Sequence, residues 1–250
     1  MNGFIDGELY IARILSWRSV VALSCFALLL VALSRPAKAL TLGQVDNFQD
    51  GTVNGWGTGA TQPNNIPNGG PAGAGDQYMQ VVSLGGGGPD SKLIVFNTSQ
   101  WLGNYTAAGI TGISMELANF GTQPLSMRLA FFISKPNGYS ATTPFSLPAD
   151  SNWHQAFFPL DAADFTVVGS PGISFNNMLA NFTGQLRILD SPTPAVEGTS
   201  ITATLGVDDI TAVPEPSAFA MVFGTLVVFI CLRRSAARST RANRRAAVLR

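Results

Sequence analysis

The stretches Ile110-Thr111-Gly112-Ile113-Ser114-Met115-Glu116-Leu117-Ala118 and Leu125-Ser126-Met127-Arg128-Leu129-Ala130-Phe131 decide the fold. In the first, Ile113, Met115 and Leu117 fall on one side, and Gly112, Ser114 and Glu116 on the other. In the second, Leu125, Met127, Leu129 and Phe131 alternate with Ser126, Arg128 and Ala130. A period of two sets one face of an extended chain on a core and the other towards water. Short runs of the same kind recur at Tyr78–Leu84, Lys92–Phe96, Trp153–Leu160, Gln185–Leu189 and Ser200–Ile210, with Gly, Pro, Asn, Ser and Thr between them. No long stretch repeats at helical spacing, and Asn176–Phe182 reads as a short helix between strands. The pattern predicts an all-β domain, an antiparallel β-sandwich of jelly-roll type.

Three irregularities carry further expectations. In Ser200–Ile210, Leu205 and Val207 share a parity that Ile210 does not, which predicts a bulge at Asp208-Asp209. Asn54–Gly75 is rich in Gly, Asn and Pro and reads as a long surface loop. The four glycines Gly85–Gly88 precede Pro89-Asp90 and a strand, whereas a phosphate cradle opens a helix with a Lys-Ser/Thr pair; they read as a turn.

Charge divides the chain into three parts. Residues 40–212 hold only Lys92, Arg128, Lys135 and Arg187 as cations against 12 acids, a net of −8, while 233–250 hold seven Arg and no acid. The acidic body excludes a basic nucleic-acid-binding domain. The only cysteines, Cys25 and Cys231, lie in apolar runs near the two ends, which excludes a disulfide scaffold. At the N-terminus Arg13 and Arg18 precede Val20–Leu33, about 21 Å of helix and too short for a hydrocarbon core of about 30 Å. Pro36 and the small Ala37 and Ala39 follow, so 1–39 is expected to be a signal peptide cut after Ala39. At the C-terminus Val213-Pro214-Glu215-Pro216-Ser217 precedes the uncharged run 218–232 and then Arg233-Arg234. That run is expected to be a short transmembrane helix stopped by charge, with the arginine tail on the cytoplasmic side against anionic headgroups. The domain order is therefore 1–39 signal, 40–212 extracellular body and 213–250 sorting segment.

The Pro214-Glu215-Pro216 motif, the apolar run after it and Arg233-Arg234 together resemble the PEP-CTERM sorting signal of exported bacterial proteins. The resemblance covers about 25 residues and implies cleavage by an exosortase, a membrane transpeptidase, and delivery to the cell surface. It differs in the tail, which runs on to Arg250. In the body, Val45-Asp46-Asn47-Phe48 with Gly55-Trp56, the segment Trp101–Ile110, Trp153-His154-Gln155-Ala156-Phe157-Phe158, Met178–Phe182 and Gly206-Val207-Asp208-Asp209-Ile210 follow one another in an order similar to laminin domain IV-like and galactose-binding-like sandwiches. Many carbohydrate-binding modules share that architecture. The resemblance implies an extracellular binding or adhesive module without catalytic machinery.

A Ser-His-Asp site would have to use the sole histidine, His154, which reads instead as a surface residue at a strand start. Glycoside hydrolysis needs two facing carboxylates, and the sequence singles out no pair among Glu116, Glu197 and the aspartates. The chain is accordingly read as no enzyme. Sugars stack on exposed rings; of Trp56, Tyr78, Trp101, Tyr105, Tyr139 and Trp153, the preferred stacking residues are Trp101 and Tyr105, in a Gly/Asn-rich loop, then Tyr139 in a turn. Related sandwiches hold a structural Ca²⁺ near their termini, so Asp46, Asp50, Asp208 and Asp209 are its expected ligands. The function expected is that of an exported, surface-sorted, non-catalytic sandwich of the cell envelope or matrix that binds extracellular polysaccharide. A structural matrix component without a ligand and a secreted polysaccharide hydrolase are the alternatives.

Overall fold

The alternation in Ile110–Ala118 and Leu125–Phe131 becomes two facing antiparallel sheets in a computed structural model of the protein, described here over residues 40–214. The first sheet contains β1 (Val45–Asp46), β3 (Asn64–Ile66), β4 (Tyr78–Leu84), β6 (Gly112–Asn119), β10 (Trp153–Pro159) and β13 (Thr202–Val213). Its order is β10-β6-β13-β4-β3, with β1 also on β13. The second contains β2 (Trp56–Gly57), β5 (Ile94–Asn97), β7 (Leu125–Ser134), β8 (Asn137–Ala141), β9 (Phe145–Leu147), β11 (Phe165–Val168) and β12 (Gln185–Asp190). Its order is β11-β8-β7-β12-β5-β2, with β9 also on β7. The expected sandwich is present. Among the described residues one short α-helix, α1 (Phe175–Leu179), is capped by Ser174, whose hydroxyl accepts from the Asn177 N–H, and it buries Phe175, Met178 and Leu179.

Ile113, Met115 and Leu117 of β6 meet Leu125, Met127, Leu129 and Phe131 of β7 in the core, all at most 1% exposed. Each such side chain contributes about 1.5–3 kcal/mol on leaving water. Phe131 stands edge-on to Tyr105, Phe165, Phe175 and Phe182, with ring centroids 5.0–5.9 Å away, an arrangement that favours the ring quadrupoles.

Arg128, expected on the watery side of β7, is 2% exposed. Residues 191–199 fold across the middle of the outer face of the second sheet as a strap. Arg128 holds the strap: Nε donates to the Ser191 carbonyl at 2.8 Å and Nη2 to Pro192 at 2.9 Å, while Nη1 donates to Ala141 and Thr142. Arg187 lies 3.5 Å over the Phe132 ring and donates to the Val196 carbonyl. Its burial lowers its pKa to about 10, so it stays charged at neutral pH. Val196 completes a small second core with Ala130 and Leu189.

The stretch Asn54–Gly75, expected to be only loop, contributes β2 and β3, and β3 extends the first sheet beyond β4. Gly85–Gly88 is a turn, as expected, with positive φ at Gly85, Gly86 and Gly88. The bulge expected at Asp208-Asp209 is present: the β13–β6 register shifts between Asp208 and Thr211, and Asp209 takes φ +48°. Strand β13 runs to Val213, one residue past the expected body boundary, where the Val213 carbonyl accepts from the Thr111 N–H at 3.0 Å. The expected signal peptide 1–39, Glu215, Pro216, Ser217, the expected membrane helix 218–232, Arg233, Arg234 and the rest of the tail lie outside the described residues. Among the described residues no helix is long and apolar enough to cross a membrane.

Candidate functional site

Trp101 and Tyr105, expected to offer open rings, are both 0% exposed, and Tyr139 is 4% exposed. This corrects the sequence reading, since none of the three can stack on a sugar. The Gly/Asn-rich segment does not project. Gly103 and Phe182 exchange backbone hydrogen bonds, the Tyr105 N–H donates to the Leu179 carbonyl, and the segment is pressed onto the sandwich. The Tyr105 hydroxyl donates to the Trp101 carbonyl at 2.7 Å, and burial pushes its pKa well above the usual tyrosine value. The Tyr139 hydroxyl donates to the Ile173 carbonyl.

The four expected calcium ligands do not converge. Asp46 is 4% exposed and lies opposite Ile210, a core residue. Its Oδ2 accepts from Trp56 Nε1 at 2.8 Å, Trp101 Nε1 at 2.7 Å and Gln100 Nε2 at 3.1 Å, so it clamps two indoles rather than a cation. Asp50 sits in an exposed turn, accepting from the Thr52 N–H and hydroxyl, and these bonds lower its pKa. Asp208 and Asp209 face the other side of the first sheet. Among the described residues no group of three or more His, Cys, Asp or Glu side chains is spaced to hold a metal.

That outer face of the first sheet is where the polar and aromatic groups gather. Partners across antiparallel strands share a face, so Trp153, Ala118, Gly206, Gln80 and Asn64 form one row. The next row is Gln155, Glu116 and Asp208. In the first row the small Ala118 and Gly206 make a floor. A Cβ on Gly206 would come within 2.8 Å of both Phe120 and Trp153, so those rings lie directly on the backbone. Trp153 meets Tyr78 edge-on at 5.2 Å and Phe120 at 6.1 Å. Trp153 and Phe120 are half-buried, and Gln155 is exposed. Trp153 Nε1 donates to the Gly69 carbonyl at 3.0 Å, tying the ring to the loop before β4.

In the second row Asp208 is 1% exposed. Its Oδ1 accepts from the Asp209 N–H at 2.8 Å, while no donor among the described residues reaches Oδ2. Loop 69–76 covers it. A Cβ on Gly70 would lie 2.5 Å from Asp76 Oδ2 and 3.2 Å from Asp208 Oδ2, so the Gly70 backbone packs against both carboxylates and no side chain fits there. Burial, with the charges of Asp209, Asp76 and Glu116, pushes the Asp208 pKa up to about 7. Burial and Asp209 raise Glu116, with His154 opposing, and burial and Asp76 raise Asp209. His154, at the start of β10 as expected, contacts the Asp150 carboxylate at 3.1 Å. Sequence reasoning named Trp153 without ranking it and missed Asp76, which lies in a stretch with no periodicity. A separate cleft of about 160 Å³, lined by Phe145, Phe157, Phe158, Phe165 and Asp164 among others, opens elsewhere and gathers few polar groups.

No protein-family model matches the chain, and comparison with curated proteins finds no match. Among solved structures the chain is similar to an exo-β-agarase, at 11% identity and TM-score 0.49, over 70% of this chain and 26% of that one. It is also similar to the family 11 carbohydrate-binding module of the cellulosomal cellulase Lic26A-Cel5E of Clostridium thermocellum, at 13% identity and TM-score 0.42, over 70% of this chain and 95% of that one. A third is a non-crystalline-cellulose-specific module, CBM28, at 12% identity and TM-score 0.40, over 72% of this chain and 99% of that one. The chain thus spans about a quarter of the agarase's length.

Two outcomes follow from the carboxylates. Asp46→Ala strands two buried indole N–H groups, each worth about 1–3 kcal/mol, and is expected to cost at least about 2 kcal/mol in urea unfolding. Asp208 holds its proton to about pH 7 when folded and releases it near 3.8, the ordinary aspartate value, when unfolded. With chelator present, stability is therefore expected to fall as pH rises from about 4 to about 7, by at most about 4 kcal/mol, and to level off above. Asp208→Asn should flatten that slope in unfolding curves taken across the range.

Proposed function

We propose that the protein is an exported, surface-sorted, non-catalytic module that binds a neutral polysaccharide on the outer face of its first sheet. The carrying observation is the half-buried Trp153–Phe120 pair lying on the Ala118-Gly206 floor beside the amides of Gln80 and Gln155. A sugar lays its C–H face on such a ring while neighbouring amides fix its hydroxyls. The corresponding face of the second sheet is occupied in its middle by the strap at 191–199. A net of −8 over 40–212 disfavours polyanionic glycans.

Absence of turnover is supported by the placement of the acids. A hydrolase needs two carboxyl groups roughly 5–9.5 Å apart and open to the scissile bond. Glu116 faces Asp208, which is 1% exposed beneath loop 69–76, so this pair offers a substrate no approach. For export, the reading rests on the signal segment 1–39, the motif Val213–Ser217, the run 218–232 and Arg233-Arg234 as the exosortase signal. The final described strand ends at Val213, the first residue of the motif. The mature body would then stand at the cell surface or remain anchored through 218–232.

Affinity electrophoresis through gels containing agarose or a soluble β-glucan tests binding. Retardation is expected, with at least about tenfold weaker binding in Trp153→Ala, since a ring stack is worth about 1.4 kcal/mol or more. Equal retardation of wild type and variant, or none with any neutral polysaccharide, contradicts the reading. Mass spectrometry of the protein from its host is expected to find termini at Leu40 and near Pro216, and an intact chain ending at Arg250 would remove the sorting step.

A further inference from the structure

Loop 69–76 holds itself together. The Gly70 N–H donates to the Asp76 carbonyl at 3.0 Å, the Ala72 N–H to Asp76 Oδ2 at 2.7 Å, the Gly73 N–H to the Gly70 carbonyl at 2.9 Å and the Gly75 N–H to Asn68 Oδ1 at 2.6 Å. Towards the sheet it offers the Gly69 carbonyl to Trp153 Nε1, and its Gly70 backbone packs on the Asp208 carboxylate. Asp208 Oδ2 has no hydrogen-bond partner among the described residues. The charged groups nearest it are acids: Asp76 from the loop, Asp209 from its own strand and Glu116 from β6. From β10 come the uncharged Gln155, in the same row, and His154, whose ring lies against Asp150. From β4 come Gln80 and Tyr78, whose phenol is raised by burial and so stays neutral. Arg128 and Arg187 are engaged at the strap and Lys92 with Glu197.

A carboxylate shut off from water in that company is costly, and its neutral acid form is far less so. We propose that the proton on Asp208 latches loop 69–76 over the outer face of the first sheet, and that its loss in alkaline solution lifts the loop, releases the Trp153 indole and weakens polysaccharide binding. Burial holds that proton to about pH 7 while the loop is closed. A lifted loop returns Asp208 to water, where an aspartate ionises well below neutrality. The closed form therefore binds the proton more tightly than the open one, so closure is favoured in acid and opposed once the pH passes about 7. The loop's own N–H bonds close within residues 68–76, so it can lift as a body, giving up the Trp153 bond and the Gly70 packing. Gln49 Nε2 donates to Asp76 Oδ1 at 2.6 Å and to the Gln77 carbonyl at 3.2 Å, which fixes the end of the loop next to β4. The effect on binding rests on the polysaccharide reading; the latch does not.

Hydrogen–deuterium exchange on full-length protein in detergent, at about pH 5.5 and about pH 8.5, reads the latch once rates are normalised to those of unstructured peptides. Protection of the 69–76 amides in wild type is expected to be at least about fivefold lower at the higher pH. Asp208→Asn keeps the shape and the acceptor for the Asp209 N–H but cannot ionise, and is expected to hold its protection at both. His154→Gln is expected to lose protection as wild type does, which sets the histidine aside as the titrating group. In affinity gels wild type is expected to bind at least about threefold more weakly at the higher pH, and Asp208→Asn equally at both. Unchanged protection of 69–76 in wild type overturns the proposal, whether or not the variants fold. So does an equal loss in folded Asp208→Asn, or its disappearance in His154→Gln. Loop release without a change in binding overturns the coupling to Trp153. Loop release with no retardation at either pH upholds the latch and removes the polysaccharide reading alone.

Discussion

Strand β13 is hydrogen-bonded on both sides and still carries two adjacent acids, and most of the molecule's chemistry follows from how that conflict is met. A central strand cannot leave polar groups facing the core. The bulge between Asp208 and Thr211, with Asp209 in the left-handed region, keeps Asp209 out of the core and returns Ile210 to it, while Asp208, in phase with Gly206, faces outward opposite Glu116. Outward does not mean solvated here, because loop 69–76 closes over the carboxylate, and it can do so only because residue 70 is glycine. The same loop presents the Gly69 carbonyl to Trp153. A backbone irregularity in one strand thereby organises an acidic pocket, its cover and the neighbouring aromatic platform.

The two sheets treat their outer faces differently, and charge explains how. On the second sheet, two of the body's few cations become internal struts: Arg128 gathers the carbonyls of Ser191, Pro192, Ala141 and Thr142, and Arg187 stacks on Phe132 beneath Val196. The strap's own backbone is bonded to the strands at its ends, Ser191 N–H to Ser126 and Thr199 N–H to Asp190, and the arginines satisfy carbonyls between them and pin it over that face. They are then unavailable to the acids of the first sheet. The surface that remains is acidic, and its charge is ill suited to a polyanion.

The long strands were legible because period-two alternation survives wherever one face packs on a core, as in Gly112–Asn119 and Leu125–Ser134. So was the bulge, since the parity break between Val207 and Ile210 has no other simple cause. Strands β1, β2 and β3 were not, because two or three residues carry no period. Trp101 and Tyr105 misled for a related reason: glycine and asparagine beside a ring read as an exposed loop, yet Gly103 takes φ +137° so that the chain can lie flat against Leu40. Asp46 looked like a cation ligand because an acid beside a strand end says nothing of the two indoles that reach it from Trp56 and Trp101. Asp76 was invisible, since its relation to Asp208 is created only when β4 and β13 pair.

On the proposed reading, polysaccharide meets the outer face of the first sheet and not the strapped face of the second. Hydrogen–deuterium exchange on the full chain, with and without a neutral polysaccharide, addresses that choice segment by segment. Slowed exchange confined to 69–76 and 150–157 is the result the account predicts. Slowed exchange at 191–199, with 69–76 and 150–157 unchanged, would contradict it.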